Sequence, residues 1–153
     1  MITLPTTDPR LAAPPDALDE DPQLSTVMTR HVVAIDVEAR LPTALHVMAT
    51  TGVRHLPVVE RGRCIGMLVE TDLIRCLAGE GCTFATAVTV AVRHLNRPAA
   101  ELPPDARLSD AARSMSGDVS DAVLVTENGR ILGIVTATDL VRSLARRDAS
   151  RTP

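Results

Sequence analysis

Residues 66–75 read GMLVETDLIR and residues 133–142 read GIVTATDLVR, 67 positions later, with five of the ten positions identical. Each stretch passes from an apolar run into Thr-Asp and then into mixed apolar and polar residues, the signature of a strand feeding a helix. Keeping the same offset and working outward, residues 36–75 align with 103–142 without a gap, and 14 of the 40 pairs are identical. The chain is an internal duplication, so its two copies are expected to fold alike.

The content of each copy predicts its elements. Leu41, Ala44, Leu45 and Met48, like Leu108, Ala111, Ala112 and Met115, recur at i, i+3, i+4 and i+7. That spacing is the apolar stripe of an amphipathic helix, starting near Pro42 in one copy and near Ser109 in the other. HLPVVE at 55–60 and AVLVTE at 122–127 read as strands, each followed by a turn dipeptide, Arg61-Gly62 or Asn128-Gly129. CIGMLV at 64–69 and ILGIVT at 131–136 complete the hairpins and are apolar on both faces, as in strands covered on either side. Closing helices follow, with Leu73, Ile74 and Leu77, and Leu140, Val141 and Leu144, expected on their inner faces. Residues 32–36 and 99–102 supply a first strand.

Each copy thus reads β-α-β-β-α, an α/β unit that leaves an apolar sheet face bare. Packing the two about a pseudo-twofold axis is expected to cover it. The boundaries that follow are a disordered arm over 1–23, a first repeat over 24–80, a connector over 81–97, a second repeat over 98–146 and a polar, frayed tail over 147–153. The arm holds five of the eleven prolines and has no helical or strand periodicity.

Composition narrows the partners. The 153 residues carry a net charge of −3, no lysine, and Phe84 as the only aromatic. Nucleic-acid binders usually carry a basic excess or aromatic stacking platforms, so nucleic acid is not expected as a partner. No run approaches the roughly 18 apolar residues of a membrane span, and the first residues resemble no signal segment. Cys64, Cys76 and Cys82 form no CxxC pair, which fits a reducing cytoplasm. With His31, His46, His55 and His94 they show no ligand spacing, and no metal is expected. Ser114 and Ser120 lack a His-Asp arrangement, and no nucleophile elbow or P-loop is present, so no enzyme activity is expected.

The chemistry of interest lies in Thr136-Ala137-Thr138-Asp139. A hydroxyl at the end of a strand and a carboxylate three positions on place two short polar side chains beside the positive end of a helix. Such a mouth receives phosphate, and a carboxylate at its edge accepts the two hydroxyls of a ribose. The same T-x-x-D spacing is also a helix cap in which the two side chains only satisfy backbone amides. The first copy keeps Thr71 and Asp72 but has Val69 at the hydroxyl position.

The doubled pattern, closing each time on G-h-h-T/S-x-x-D or its Val69 variant, resembles a tandem CBS-domain pair, or Bateman module, over roughly residues 25–144. The resemblance implies a regulatory module that needs no cofactor for catalysis. It would bind an adenosine-containing ligand such as AMP, ATP or S-adenosylmethionine in clefts between the repeats, form a homodimer, and act on a regulated protein that the sequence does not identify. Carried over, Asp139 holds the ribose and Thr136 faces the phosphate, with Thr138 beside them. Met28, His31 and Val33, with Val53 nearby, would grip the adenine. A second cleft would use Asp72, Thr71, Leu95 and Ala100, and the loss of its hydroxyl to Val69 implies weaker binding. Arg54 and His55 stand where family members place phosphate-binding basic residues, whereas the second repeat has Asp121 and Ala122 there and Leu124 in place of Pro57. Two functions fit: ligand sensing at Thr136 and Asp139, or a ligand-free scaffold for dimerisation or protein docking.

Overall fold

The computed structural model describes residues 2–4, 21–80, 83–117 and 120–151, with the backbone alone at 2–4 and 147–151. Two compact units divide the chain: Met1–Leu4 with Val32–Ala99, and Pro5–His31 with Ala100–Pro153.

The first unit carries a four-stranded sheet in the order β1-β2-β3-β4, built from Ile2–Leu4, Val32–Asp36, His55–Glu60 and Arg63–Val69. Strand β2 runs parallel to β3, with Ile35 opposite Val58, and the β3–β4 hairpin is antiparallel with His55 opposite Val69. Helices α2 (Leu41–Thr51) and α3 (Glu70–Ala78) enclose a core that includes Leu41, Ala44, Leu56, Leu68 and Leu73. Gly52 ends α2 at φ 72°, the left-handed conformation that glycine adopts at least cost. After α3 comes a capped turn, α4 (Phe84–Ala87), whose Thr83 and Thr86 form a reciprocal capping box. A 3-10 turn follows at Val92–His94, where buried Val92 joins the same core.

The second unit repeats the plan with β5 (Ala100–Leu102), β6 (Ala122–Glu127) and β7 (Arg130–Thr136) in sequential order. Strand β5 is parallel to β6, and the β6–β7 hairpin is antiparallel. Both hairpins carry a bulge, between Val58 and Val59 and between Val125 and Thr126, which are equivalent positions. Helices α5 (Leu108–Gly117) and α6 (Ala137–Arg151) complete the unit. Its core takes Leu24 and Met28 from the opening of the first repeat, where α1 (Leu24–Val27) forms a single turn.

Both hairpin turns place two successive residues at positive φ, Arg61 (49°) with Gly62 (79°) and Asn128 (52°) with Gly129 (74°). This is the type I′ geometry that matches strand twist, and it explains why each turn ends in glycine.

Four expectations are corrected. Ile2–Leu4 is not part of an unstructured arm but pairs antiparallel with β2, Thr3 opposite Val33, because a short β-branched run can satisfy an edge strand. Asp21 is also engaged: its carboxylate accepts hydrogen bonds from the Ser109 amide (2.9 Å) and hydroxyl (2.7 Å), capping α5 from 88 residues away. Helix α6 continues to Arg151, through residues expected to fray, since Ala and Arg sustain helical hydrogen bonding. Ile74, Leu77, Val141 and Leu144 are exposed. The inward side of α3 is centred between Leu73 and Cys76, both packed on the core, which turns Leu77 to the margin and Ile74 away; Val141 and Leu144 hold the equivalent positions in α6. The remainder of the arm, residues 5–20, Cys82 and residues 152–153 lie outside the described residues. Among those described, no helix is long and apolar enough to cross a membrane.

Candidate functional site: two closing motifs with different partners

Each closing motif sits where the last strand of a hairpin becomes a helix, and the two junctions are built alike. The first amide of α3 donates to the carbonyl of Arg54 (2.9 Å), and that of α6 donates to the carbonyl of Asp121 (2.8 Å). A glycine in each last strand admits a second chain segment. Arg97 exchanges backbone hydrogen bonds with Met67 (2.8 and 2.9 Å), and Thr29 does the same with Ile134 (2.9 and 3.0 Å). A Cβ at Gly66 would stand 2.5 Å from the Arg97 carbonyl oxygen, and one at Gly133 would stand 2.5 Å from the Met28 sulfur. Only glycine permits these approaches.

The side chains then diverge. In the second unit Asp139 Oδ2 accepts hydrogen bonds from the Thr136 amide and hydroxyl, both at 2.9 Å. Asp139 therefore supplies one half of the cap that the T-x-x-D spacing allows, returning to the Thr136 amide, and the threonine hydroxyl donates to the same oxygen. Oδ1 meets Arg142 at 3.6 Å, an ion pair whose arginine is 69 % exposed while the aspartate is 12 % exposed. A pair so open to water contributes little, about 0–1 kcal/mol.

In the first unit, with Val69 at the hydroxyl position, the Asp72 carboxylate is held by guanidinium groups. Arg97 donates through Nε to Oδ2 (2.7 Å) and through Nη2 to the same oxygen, and Arg75 donates to Oδ1 (3.1 Å). Asp72 is 17 % and Arg97 27 % exposed, so this ion pair is partly withdrawn from solvent. Arg75 and Arg142 occupy the i+3 positions at which a helix brings side chains together.

The remaining candidates divide between the units. Met28 and His31 belong to the second unit with Thr136, Thr138 and Asp139. Met28 is buried against Gly133 as a core residue, whereas His31 and Thr138 are exposed. Val33, Val53, Arg54, His55, Thr71, Asp72 and Leu95 belong to the first unit. Val53 and Leu95 pack against its core, His55 is buried on β3, and Arg54 and Thr71 are exposed. Ala100 lies on β5, half-buried against the second core. Sequence reasoning missed Arg97. It lies 25 residues from Asp72 and in no motif, and its role follows only from the pairing with Met67.

A family model for the CBS domain matches residues 24–79 and again residues 92–146. The chain belongs to the CBS-domain family. The second match begins at residue 92, taking into the CBS repeat the segment that carries Arg97. The protein MJ1225 of Methanocaldococcus jannaschii is 30 % identical over 140 residues, covering 85 % of this chain and 50 % of that protein. Its crystal structure, described as that of a proposed archaeal homologue of g-AMPK, superposes with a TM-score of 0.73 at 25 % identity, covering 84 % of this chain and 50 % of that one. The CBS pair of protein MJ0100, solved with 5-methylthioadenosine and S-adenosyl-L-methionine, superposes with a TM-score of 0.69 at 20 % identity, covering 82 % and 97 %. This CBS pair spans half the length of MJ1225. It spans 23 % of a homoserine O-acetyltransferase from Methanococcoides burtonii, 28 % identical over 121 residues, so the likeness to that enzyme is confined to a part of it. CBS pairs are regulatory modules, and two such repeats make up most of the present chain.

Proposed function

We propose that this CBS pair is a regulatory module that binds one adenosine-containing ligand per chain, of the AMP, ATP or S-adenosylmethionine type, at the second closing motif. The observation that carries the reading is the contrast between the two carboxylates. Asp139 is oriented through one oxygen by Thr136, and its other oxygen meets only a distant, exposed guanidinium among the described residues. Capping and ligand binding are then compatible roles: Oδ2 fixes the side chain, and Oδ1 addresses a ribose hydroxyl beside the positive end of α6. The adenosine compounds bound by the MJ0100 pair support this ligand class. Thr136 and Thr138 would stand near the phosphate or its replacement. His31, exposed in the same unit, would approach the base. The ligand would alter the balance between two states of a cytoplasmic homodimer by its difference in affinity for them, and a regulated protein would read the change.

The test is a thermal-shift and calorimetric panel of adenosine, AMP, ADP, ATP and S-adenosylmethionine. A ligand at a hundredfold excess over Kd should add about 2.7 kcal/mol of apparent stability. Asp139→Asn, whose amide oxygen can still cap α6, should weaken binding by about 1.5–3 kcal/mol, the scale of a hydrogen bond to a charged group. Equal losses for Asp72→Asn would refute the one-site reading.

A ligand-free scaffold is the second reading. Asp139 already accepts from the Thr136 amide and hydroxyl without a ligand, and Ile74 and Leu77 on α3, like Val141 and Leu144 on α6, present exposed apolar side chains suited to a protein surface. If no compound shifts the melting temperature while Leu144→Arg converts a dimer to a monomer in light scattering, the scaffold reading holds instead.

A further inference from the structure

We infer that Arg97 is an internal occupant of the Asp72 carboxylate and that it, rather than the Val69 replacement alone, makes this a one-site module. The inference rests on the reading that a motif carboxylate receives the sugar. A vicinal diol and a guanidinium make the same demand on a carboxylate, two neighbouring donors aimed at its lone pairs, but the guanidinium is charged and its hydrogen bonds are about twice as strong. At Asp72 three N–H donors already reach the two oxygens, two from Arg97 and one from Arg75. A diol therefore has to displace a charged competitor that is covalently part of the chain.

That competitor is held in register. The paired hydrogen bonds to Met67 fix the Arg97 backbone, and Gly66 gives its carbonyl the room to approach. Among the described residues of the second unit, the only guanidinium at the Asp139 carboxylate is the exposed one of Arg142, at 3.6 Å. The residue that pairs with Ile134, the counterpart of Met67, is Thr29, whose exposed side chain is too short to act as a plug. The neighbouring Arg30 sends Nη2 to the carbonyl of Ser25 (2.8 Å). Duplication thus produced two similar sockets, and besides the Val69 replacement an arginine distinguishes them.

The two causes of silence separate in a four-protein comparison by calorimetry with adenosine, AMP and S-adenosylmethionine: the unaltered chain, Val69→Thr, Arg97→Met, and the two substitutions together. Restoring the hydroxyl alone should leave the stoichiometry at one per chain. The double variant should bind a second equivalent, which Asp72→Asn abolishes. If Val69→Thr alone gains the second equivalent, or if the double variant retains its circular dichroism and melting transition yet gains none, Arg97 is not the occupant that matters. Should Arg97→Met fail to fold, Arg97→Gln, which keeps an amide donor without the charge, reads the same comparison. If the unaltered chain binds nothing while the double variant binds through Asp72, the Asp139 reading falls and the plug stands; if neither binds, both fall.

Discussion

A carboxylate three residues after a strand has two oxygens, and the two copies of this chain use them differently. Asp139 gives one to its own helix cap; Asp72 gives both to arginines. Asp139→Ala therefore combines two losses, the ligand contact and a cap worth about 1 kcal/mol, whereas Asp139→Asn separates them. Urea melts of the two variants without ligand should differ by roughly that amount. Two glycines matter for a separate reason. Gly66→Ala would drive a methyl to 2.5 Å from the Arg97 carbonyl that two hydrogen bonds hold, whereas at Gly133 the corresponding Thr29 carbonyl stands off at 2.9 Å and the nearer obstacle is the Met28 side chain. We expect Gly66→Ala to cost about 1–3 kcal/mol, the scale of overpacking, and Gly133→Ala to cost less, as read from denaturant midpoints. The T-x-x-D residues were visible in the sequence together with both of their uses. Arg97 was not, because nothing local ties residue 97 to residue 72.

At the scale of elements, periodicity located the helices and strands of both repeats to within a residue or two, since each element buries one face and its pattern records that face. The closing helices were the exception. Apolar residues at i, i+1 and i+4 predict one inner face, but the core sees only the side centred between Leu73 and Cys76. Turn chemistry supplies a direct prediction. Arg61 sits at φ 49° where the second repeat has Asn128 at 52°, and asparagine tolerates this region better than arginine. Arg61→Asn should stabilise the chain by roughly 0.5–1 kcal/mol in thermal melts. The start of α5 supplies another. The hydrogen bond from the Arg107 amide, followed by Arg113, holds the Asp110 carboxyl below its ordinary range, while partial desolvation opposes them. A carboxyl depressed in the folded state stabilises above its unfolded pKa, and that contribution is lost as pH falls through the folded value. Asp110→Asn should be destabilising at neutral pH, and the gap from the unaltered chain should close through the acid range.

At the scale of the whole molecule, neither compact unit is a continuous repeat. The second unit includes the opening of the first repeat, up to His31, and the first includes the connector and the start of the second repeat, up to Ala99. Leu24, fully buried in the second core, illustrates the consequence: its amide donates to the carbonyl of Ala106 (2.8 Å), 82 positions away in the chain. Leu24→Ala should cost about 2–5 kcal/mol, a large share of the stability of so small a unit. A chain begun at residue 32 loses Leu24, Met28, the Thr29 pairing and the Asp21 cap together. Its second unit should show no cooperative transition in calorimetry.

The sequence by itself determined the duplication, the order of elements within each repeat, the turns and the two closing motifs, because periodicity, turn chemistry and capping act over a few neighbouring residues. Only the tertiary structure decided which segment completes which core, that Asp21 caps α5, that the closing helices keep apolar side chains outside, and that Arg97 rests on Asp72. These depend on hydrogen bonds and packing between residues far apart in the chain, and no local pattern of residues encodes such a meeting.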